Sequence, residues 1–442
     1  MWLTTAQAQP TPVRTNGNGT PLSLRITRAA QHFARAQAVN SARNAAALRP
    51  FHADEFGTHP GSPSSAHIAA ANKLISSLRD QLDGVVERLE ASTASSSHPP
   101  TRVLEPVLAY RERAERGIKL IEKIWAFYLE LFGQRQSPFA PMLLAADRIA
   151  LDSYQAVFVG LGTARSIPSP APFSYMETGF TPATFRRGIP LSRISKQINP
   201  FPVVSLPHHR LVNPWTLGAV PHEVSHNLQS DLGLWEDVPK RVRARLLDNG
   251  IDVGSASIWA RWHKETWADL CGLLLGGPAV VTSLLDVVAR TPLAATAYNP
   301  SGVHPTSYLR VLINLELLRR MGFSEEAAVY EGLWKRLYPH PRAGGIPAAL
   351  LASFPRACAL VVDTMCFQPY AQLGGKSLAE VVCFRPEYAQ MTEEAAARLA
   401  HGTDPGIIPA RFLIGAARIA FERGLAAPDV IARHFYRALT QR

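Results

Sequence analysis

The chain has 442 residues, of which 47% are hydrophobic and 18% are charged, and its net charge at pH 7 is +11. This balance is typical of a globular protein with enough apolar material for two or three packed units. A basic surface favours acidic substrates or partners only weakly, and no Lys/Arg block is interleaved with aromatic residues. We therefore expect no nucleic-acid partner.

Cysteine usage and apolar runs bear on the cellular compartment. The chain has four isolated cysteines: Cys271, Cys358, Cys366 and Cys383. Without a Cys-x-x-Cys pair, they favour buried thiols in a reducing compartment. The N-terminus lacks the basic and apolar segments of a secretory signal, and the longest apolar run, residues 270–289, is interrupted by Gly276-Gly277-Pro278. We expect a cytoplasmic protein with no membrane span.

The N-terminal third of the chain has helical periodicity. Residues 1–20 are rich in Thr, Pro, Gly and Asn and predict a flexible tail, and the polar run 92–100 predicts a linker. Apolar residues at helical spacing predict helices at 22–48, 66–91, 103–132 and 141–158. We interpret residues 21–158 as an N-terminal helical region.

The pattern changes at about residue 160. Prolines and glycines become frequent, and short extended runs such as residues 202–206 predict a small β region. Helical patterns then resume at 238–247, 256–275, 306–321 and 324–338, with one more between 278 and 289. We interpret residues 159–340 as a central domain. Residues 341–442, with helices predicted at 346–366, 392–400, 408–423 and 427–440, form a C-terminal helical region, and the whole chain is expected to be mainly α.

The central domain contains the motif His-Glu-x-x-His, at His222, Glu223 and His226. Positions i and i+4 share one face of a helix, so both imidazoles can reach one metal ion. Glu223 projects to the side of the metal, where it can act as a general base. The alternative is a surface helix that carries two unrelated histidines.

Two starting points are open for the helix that carries this motif. Asn213-Pro214 has the residues of an N-cap followed by proline in the first helical position. A helix that begins there would be kinked at Pro221. The other possibility is a helix that begins at Pro221 itself.

A metal site needs a third protein ligand, and Glu265 is the candidate. Glu265 and Asp269 lie at i and i+4 on a predicted helix. Glu265 would bind the metal, while Asp269 would accept a hydrogen bond from the other ring nitrogen of a ligating histidine. His263, two residues before Glu265, points to another face and is not expected to be a ligand.

His222-Glu223-x-x-His226 followed by Glu265-x-x-x-Asp269 resembles the gluzincin class of zinc metallopeptidases. The resemblance covers about residues 200–320. It implies a zincin-like core, a Zn²⁺ cofactor held by His222, His226 and Glu265, and Glu223 as general base. In many such enzymes a strand before the motif helix pairs with the substrate backbone, and residues 201–207 are the candidate strand.

A second resemblance concerns residues after the third ligand. His304-Pro305 and Arg310 form a His-Pro-x4-Arg pattern similar to that of the heat-shock membrane proteases and prenyl-protein endopeptidases within this class. The resemblance implies that His304 and Arg310 lie near the cleft and contact the substrate or the developing oxyanion. Tyr308 is a further candidate donor. An N-cap role for His304 before Pro305 is the alternative.

These patterns predict a zinc-dependent metallopeptidase that hydrolyses a peptide or protein substrate, with Zn²⁺ bound by the chain. Two alternatives stay open: a zinc-containing scaffold or binding protein without turnover, and a non-peptide amidase or ester hydrolase that uses the same site. The presence of Glu223 argues against the scaffold, because a structural metal site has no need of a base. The sequence leaves the oligomeric state open.

Overall fold

The computed structural model of the chain describes residues 21–93, 100–162 and 166–441. The protein is 71% helical with 5% strand, which confirms the expected mainly α fold with a small β region. The predicted tail at residues 1–20 lies outside the described residues. So does most of the predicted linker, residues 94–99.

The chain forms two compact units. One takes the described residues up to Phe51 and those from Asn72 to Phe127; the other takes His52–Ala71 and the described residues from Tyr128 onward. The division of the sequence at about residues 158 and 340 stays a prediction. All of the candidate site residues belong to the second unit.

Four long helices begin the described chain. They are α1 (Leu22–Ala47), α2 (Ser65–Thr93), α3 (Pro100–Gly133) and α4 (Ala140–Leu161). Each lies within a few residues of its predicted range, because long apolar periodicity is the strongest signal that a sequence carries. A small core of the first unit contains Ala34, Ala38, Leu89 and Val107, all buried.

The β region contains a three-stranded sheet and a short hairpin. The strands are β1 (Phe173–Glu177), β2 (Ala183–Phe185), β3 (Pro190–Leu191), β4 (Gln197–Ile198) and β5 (Val203–Pro207). The sheet has the order β1-β5-β2, with β5 parallel to β1 and antiparallel to β2, and β3 pairs with β4. Every residue of β5 is buried.

Residues 203–205, the centre of the predicted substrate-binding segment 201–207, cannot pair with a substrate backbone. They have β1 on one side and β2 on the other, so their backbone hydrogen-bonding groups are used within the sheet. Strand β2 pairs with β5 alone among the described residues and is an edge strand. A backbone ligand could therefore add to this sheet beside β2, not beside β5.

Helices make up the rest of the second unit. They are α5 (His208–Val212), α6 (Ala219–Asp231), α7 (Asp237–Asp248), α8 (Val253–Gly276), α9 (Pro278–Val288), α10 (Pro292–Thr296), α11 (Ser307–Arg320), α12 (Ser324–Leu337), α13 (Ala348–Val362), α14 (Leu378–Val381), α15 (Pro386–His401), α16 (Leu413–Glu422) and α17 (Pro428–Thr440). The sequence pattern did not indicate α5, α10 and α14, because helices of four or five residues are too short to show a period. Helix α13 ends before its predicted limit and continues as a π-helical turn, Asp363–Phe367.

The motif helix α6 begins at Ala219, so neither predicted starting point is correct. Asn213 instead precedes a separate 3₁₀ turn, Pro214–Thr216. Pro221 is the third residue of α6. The N–H groups of a first helical turn have no partner within the helix, so a proline there removes no helical hydrogen bond and causes no kink.

Helices α6 and α8 pack closely against each other at the candidate site. Gly272 of α8 faces the backbone of α6, and a Cβ atom at this position would lie 3.2 Å from the amide nitrogen of His222 and 3.3 Å from its Cα atom. Any side chain larger than a hydrogen atom would press on the backbone of His222. Gly272 therefore sets the distance between the two helices that carry the candidate ligands.

One described helical segment, Ala348–Phe367, is long and apolar enough to cross a membrane, and half of its apolar window is buried inside the protein. A core helix of a soluble protein has the same length and composition. The finding neither establishes nor excludes a membrane span.

The contact at Gly272 gives a first prediction. Gly272→Ala gains helix propensity but forces the backbone of His222 away, whereas Gly332→Ala lies on the exposed face of α12 with no atom within 4 Å. We expect Gly332→Ala to stabilise the protein by up to about 1 kcal/mol. Gly272→Ala should be less stable than Gly332→Ala by about 1–3 kcal/mol because of overpacking. Urea denaturation of both variants measures the difference, and equal stabilities would contradict the tight contact.

Candidate metal centre

Three side chains from α6 and α8 converge on one point. His222, His226 and Glu265 each offer a ligand atom, and these atoms lie within 4.8 Å of one another. The Nε2 atoms of both histidines are 3.7 Å from Oε2 of Glu265. The i, i+4 spacing puts the two rings on one face of α6, and the close packing of α8 brings Glu265 opposite them. The structure thus brings together the three predicted ligands.

Asp269 holds the ring of His222 in position. Its Oδ1 atom is 2.8 Å from Nδ1 of His222, one turn along α8 from Glu265. In the neutral form that a metal ligand requires, the proton of His222 would lie on Nδ1, where it is donated to the carboxylate, and Nε2 would have its lone pair available on the side of Glu265. This is the predicted contact, and the structure identifies His222 as the histidine that makes it.

Arg310 of α11 supports Asp269 from the other side. Its Nε atom is 2.6 Å from Oδ2 of Asp269 and a terminal nitrogen is 2.8 Å from Oδ1, a two-point contact between planar groups. Burial opposes ionisation of Asp269, but the charge of Arg310 and its hydrogen bonds lower the pKa of this carboxyl to about 2. Asp269 is therefore a carboxylate at neutral pH and accepts hydrogen bonds from both partners.

Glu223 lies in the same cavity but outside the group of three ligand atoms. Burial raises the pKa of its carboxyl to about 7, an effect that His222 opposes and Glu265 reinforces. A carboxyl with such a pKa can both accept and release a proton near neutral pH.

The electrostatics of the three ligands fit a cation. Burial lowers the pKa of both histidines, yet Asp269 and Glu265 outweigh it at His222 and raise that pKa to about 10. His226, beside the charged His222, keeps a pKa lowered to about 3 and is a neutral imidazole. A metal ion that binds here takes the place of the additional proton on His222, and two imidazoles with one carboxylate are a donor set compatible with a metal ion.

His304 also reaches this cluster. Its Nε2 atom is 3.1 Å from Oε2 of Glu265, and its side chain is 57% exposed. The preceding loop is tied to α8, because Arg261 donates a hydrogen bond to the carbonyl of Gly302. His304 therefore lies at the rim of the cavity, where it can meet both Glu265 and a bound molecule.

Tyr308 does not join the cluster, and this corrects its predicted place near the cleft. It is two residues from Arg310 on α11, so the two side chains lie on different faces of the helix. The ring of Tyr308 lines a separate cavity with Glu331 and Lys335. Tyr308 has no part in the mechanism proposed below.

The cluster opens into a cavity of about 380 Å³. Residues that no sequence pattern singled out also line it: Thr181, Pro182, Ala183, Thr184, Arg186, Gly218, Ala219, Trp235, Lys264, Val280, Ser283, Leu284 and Val287. They come from β2, α6, α8, α9 and the loops between elements. Such residues carry no short-range motif, and contacts between distant parts of the chain bring them together.

The edge strand β2 is fastened to the motif helix. Asn227, next to His226, donates a hydrogen bond of 2.6 Å to the hydroxyl of Thr184 in β2. That hydroxyl donates in turn to the carbonyl of Val203 in β5. These two bonds hold β2 beside α6, so that the strand forms one wall of the cavity.

The ligand set gives a second prediction. Glu265→Ala should lose most of its bound metal, because two imidazoles alone form an incomplete site. His263→Ala is the control. The ring of His263 makes an edge-to-face contact with Trp235, and its Nδ1 atom contacts the carbonyl of Ala260, away from the cluster. Metal content after dialysis, measured by elemental analysis, should be unchanged in His263→Ala. Equal metal content in Glu265→Ala and the wild type would refute the assignment.

The contact between Asp269 and His222 gives a third prediction. Asp269→Asn replaces a carboxylate, which accepts from His222 and Arg310, with an amide whose NH₂ group cannot accept. We expect metal affinity to fall by about 10- to 100-fold, the usual effect of removing such a partner. Competition titration with a chromophoric chelator measures the affinity, and far-ultraviolet circular dichroism checks that the variant is folded. An unchanged affinity in a folded variant would show that Asp269 does not support the ligand.

Comparisons of the chain with protein-family models, with curated proteins and with solved structures found no match. The case for a function therefore depends on the geometry and chemistry of the cavity itself.

Proposed function

We propose that the protein is a zinc-dependent metallopeptidase of the gluzincin type. The observation that carries this proposal is the convergence of His222, His226 and Glu265 in a cavity that also contains the buried Glu223. A metal site with three protein ligands and an adjacent carboxylate base is the arrangement of a hydrolytic centre.

The donor set supports zinc as the metal. Two imidazole nitrogens and one carboxylate oxygen suit zinc and leave a coordination position free for a small molecule. When bound, zinc supplies Lewis-acid chemistry, which acidifies water and polarises a carbonyl group. His222, His226 and Glu265 would hold it, with the ring of His222 oriented by Asp269 and Arg310.

Glu223 acts as general base and then as general acid. It accepts a proton from the water whose oxygen forms a bond with the carbonyl carbon of the substrate. It then gives this proton to the nitrogen of the breaking C–N bond, so that an amine and a carboxylic acid leave. A pKa of about 7 suits both steps at neutral pH.

His304 serves as the donor to the oxygen on which negative charge develops. Its exposed ring at the rim of the cavity, 3.1 Å from Glu265, lies close enough to the ligands to reach a bound carbonyl group. Arg310 has a different task. Its guanidinium makes two hydrogen bonds to the carboxylate of Asp269 and is largely buried. Arg310 therefore positions His222 through Asp269 instead of contacting the substrate.

The edge strand β2 supports a peptide as substrate. Its free edge adjoins the cavity, and an extended peptide could add to it through backbone hydrogen bonds. Asn227 and Thr184 keep this edge close to the ligand helix. Recognition of a backbone favours a peptidase over a non-peptide amidase, which stays an alternative that uses the same base and ligands.

A fourth prediction tests turnover against a silent scaffold. Glu223→Gln should retain zinc at the wild-type level but lose at least about 100-fold of the cleavage rate, because the general base is gone. Cleavage of a mixed peptide library by the zinc-loaded wild type and variant, read by mass spectrometry, measures the loss. Arg243→Gln, on the exposed surface of α7, should cleave like the wild type.

Three outcomes would change the assignment or the mechanism. A wild-type protein that binds zinc and cleaves no peptide in a broad library would favour the scaffold. Turnover of acylated small molecules without peptide cleavage would favour the amidase. Equal peptide cleavage by the wild type and Glu223→Gln would remove Glu223 from the mechanism.

A further inference from the structure

The acidic and the basic side chains that line the cavity differ in whether they have partners. Each of its three carboxylates already has a contact or a proposed role. Glu265 faces the two histidines, Asp269 binds His222 and Arg310, and Glu223 is the proposed base. Two cationic side chains of the same cavity, Arg186 and Lys264, have no carboxylate within 4 Å among the described residues. The cavity therefore has positive charge available for a ligand.

Arg186 is held in place without an acidic partner. Its guanidinium lies over the ring of Trp235, with the central carbon 3.5 Å from the ring centroid, and both residues line the cavity. Stacking on an aromatic face orients the group and leaves its N–H donors free in the plane of the guanidinium. Partial burial lowers the pKa of Arg186, and no acid offsets this effect.

Lys264 adds a second free cation from α8. It lines the same cavity as Arg186 and the candidate ligand Glu265. Arg319 and Lys335, which line another cavity of this protein, both pair with Glu331. Arg186 and Lys264 have no such partner among the described residues.

We propose that Arg186 and Lys264 are specificity-determining residues, which select substrates that carry a carboxylate close to the bond to be cleaved. This inference rests on the proposed peptidase function and names its substrate class. The carboxylate could be an Asp or Glu side chain or the C-terminus of the substrate, since both present the same planar anion to a guanidinium. The apolar residues Val280, Leu284 and Val287 line the same cavity and suit an apolar neighbour of that carboxylate.

Binding to the full-length, zinc-loaded Glu223→Gln protein tests this inference without turnover. Four fluorescent peptide pools are used, identical except that one position carries Glu or Gln and the C-terminus is a free acid or an amide. Fluorescence anisotropy gives the dissociation constant for each pool. The comparison of Glu with Gln tests the side chain, and the comparison of acid with amide tests the C-terminus.

We expect at least one carboxylate-bearing pool to bind about tenfold more tightly than the doubly neutral pool, as a charge-assisted hydrogen bond allows. Adding Arg186→Gln or Lys264→Gln should remove most of this preference. Arg243→Gln and Lys240→Gln are matched controls on the exposed surface of α7 and should keep the preference. Trp235→Leu should weaken it, and Trp235→Phe, which keeps an aromatic ring, should restore part of it.

Equal affinity for all four pools would overturn the inference, as would a preference that survives both Arg186→Gln and Lys264→Gln. Absence of measurable binding to any pool would overturn it as well. Peptide cleavage by the wild-type protein is measured separately. Cleavage without a preference for carboxylate-bearing peptides would overturn this inference but leave the proposed peptidase function intact. Charge-selective binding without cleavage would instead sustain the selectivity and refute the peptidase.

Discussion

The candidate site depends on the contact between Asp269 and His222. One carboxylate receives the imidazole N–H on one side and the guanidinium of Arg310 on the other, so α6, α8 and α11 are joined through a single buried group. Because the carboxylate is ionised, both hydrogen bonds are charge-assisted. The tautomer of His222 and the direction of its free lone pair both follow from this contact.

Close packing of α6 on α8 gives this contact its geometry. Gly272 lets the backbone of α8 approach His222, and Asp269 and Glu265 then lie on the face of α8 that meets the ligand helix. Interiors packed at this density have little room to adjust, so a change at one helix reaches the ligands directly. The packing of α6 against α8 and the geometry of the polar cluster therefore depend on each other.

The sequence predicted the long helices and the two pairs of site residues because both depend on spacing within one helix. His222 with His226, and Glu265 with Asp269, are i, i+4 pairs whose shared face is fixed by helix geometry. The pairing of Arg310 with Asp269 and the cavity wall at β2 depend on contacts between distant segments, which no local pattern records. Tyr308 was misplaced for the same reason: its position between His304 and Arg310 did not specify which side of α11 faces the cavity.

The place of Pro221 within α6 affects the electric potential at the site. The unpaired N–H groups of a first helical turn carry partial positive charge, which attracts anions and repels cations. His222 follows directly, and its side chain leans toward this end of the helix. Because Pro221 has no N–H, the turn carries one fewer positive dipole beside the ligand. The beginning of α6 is therefore less positive beside His222 than it would be with any other residue at position 221.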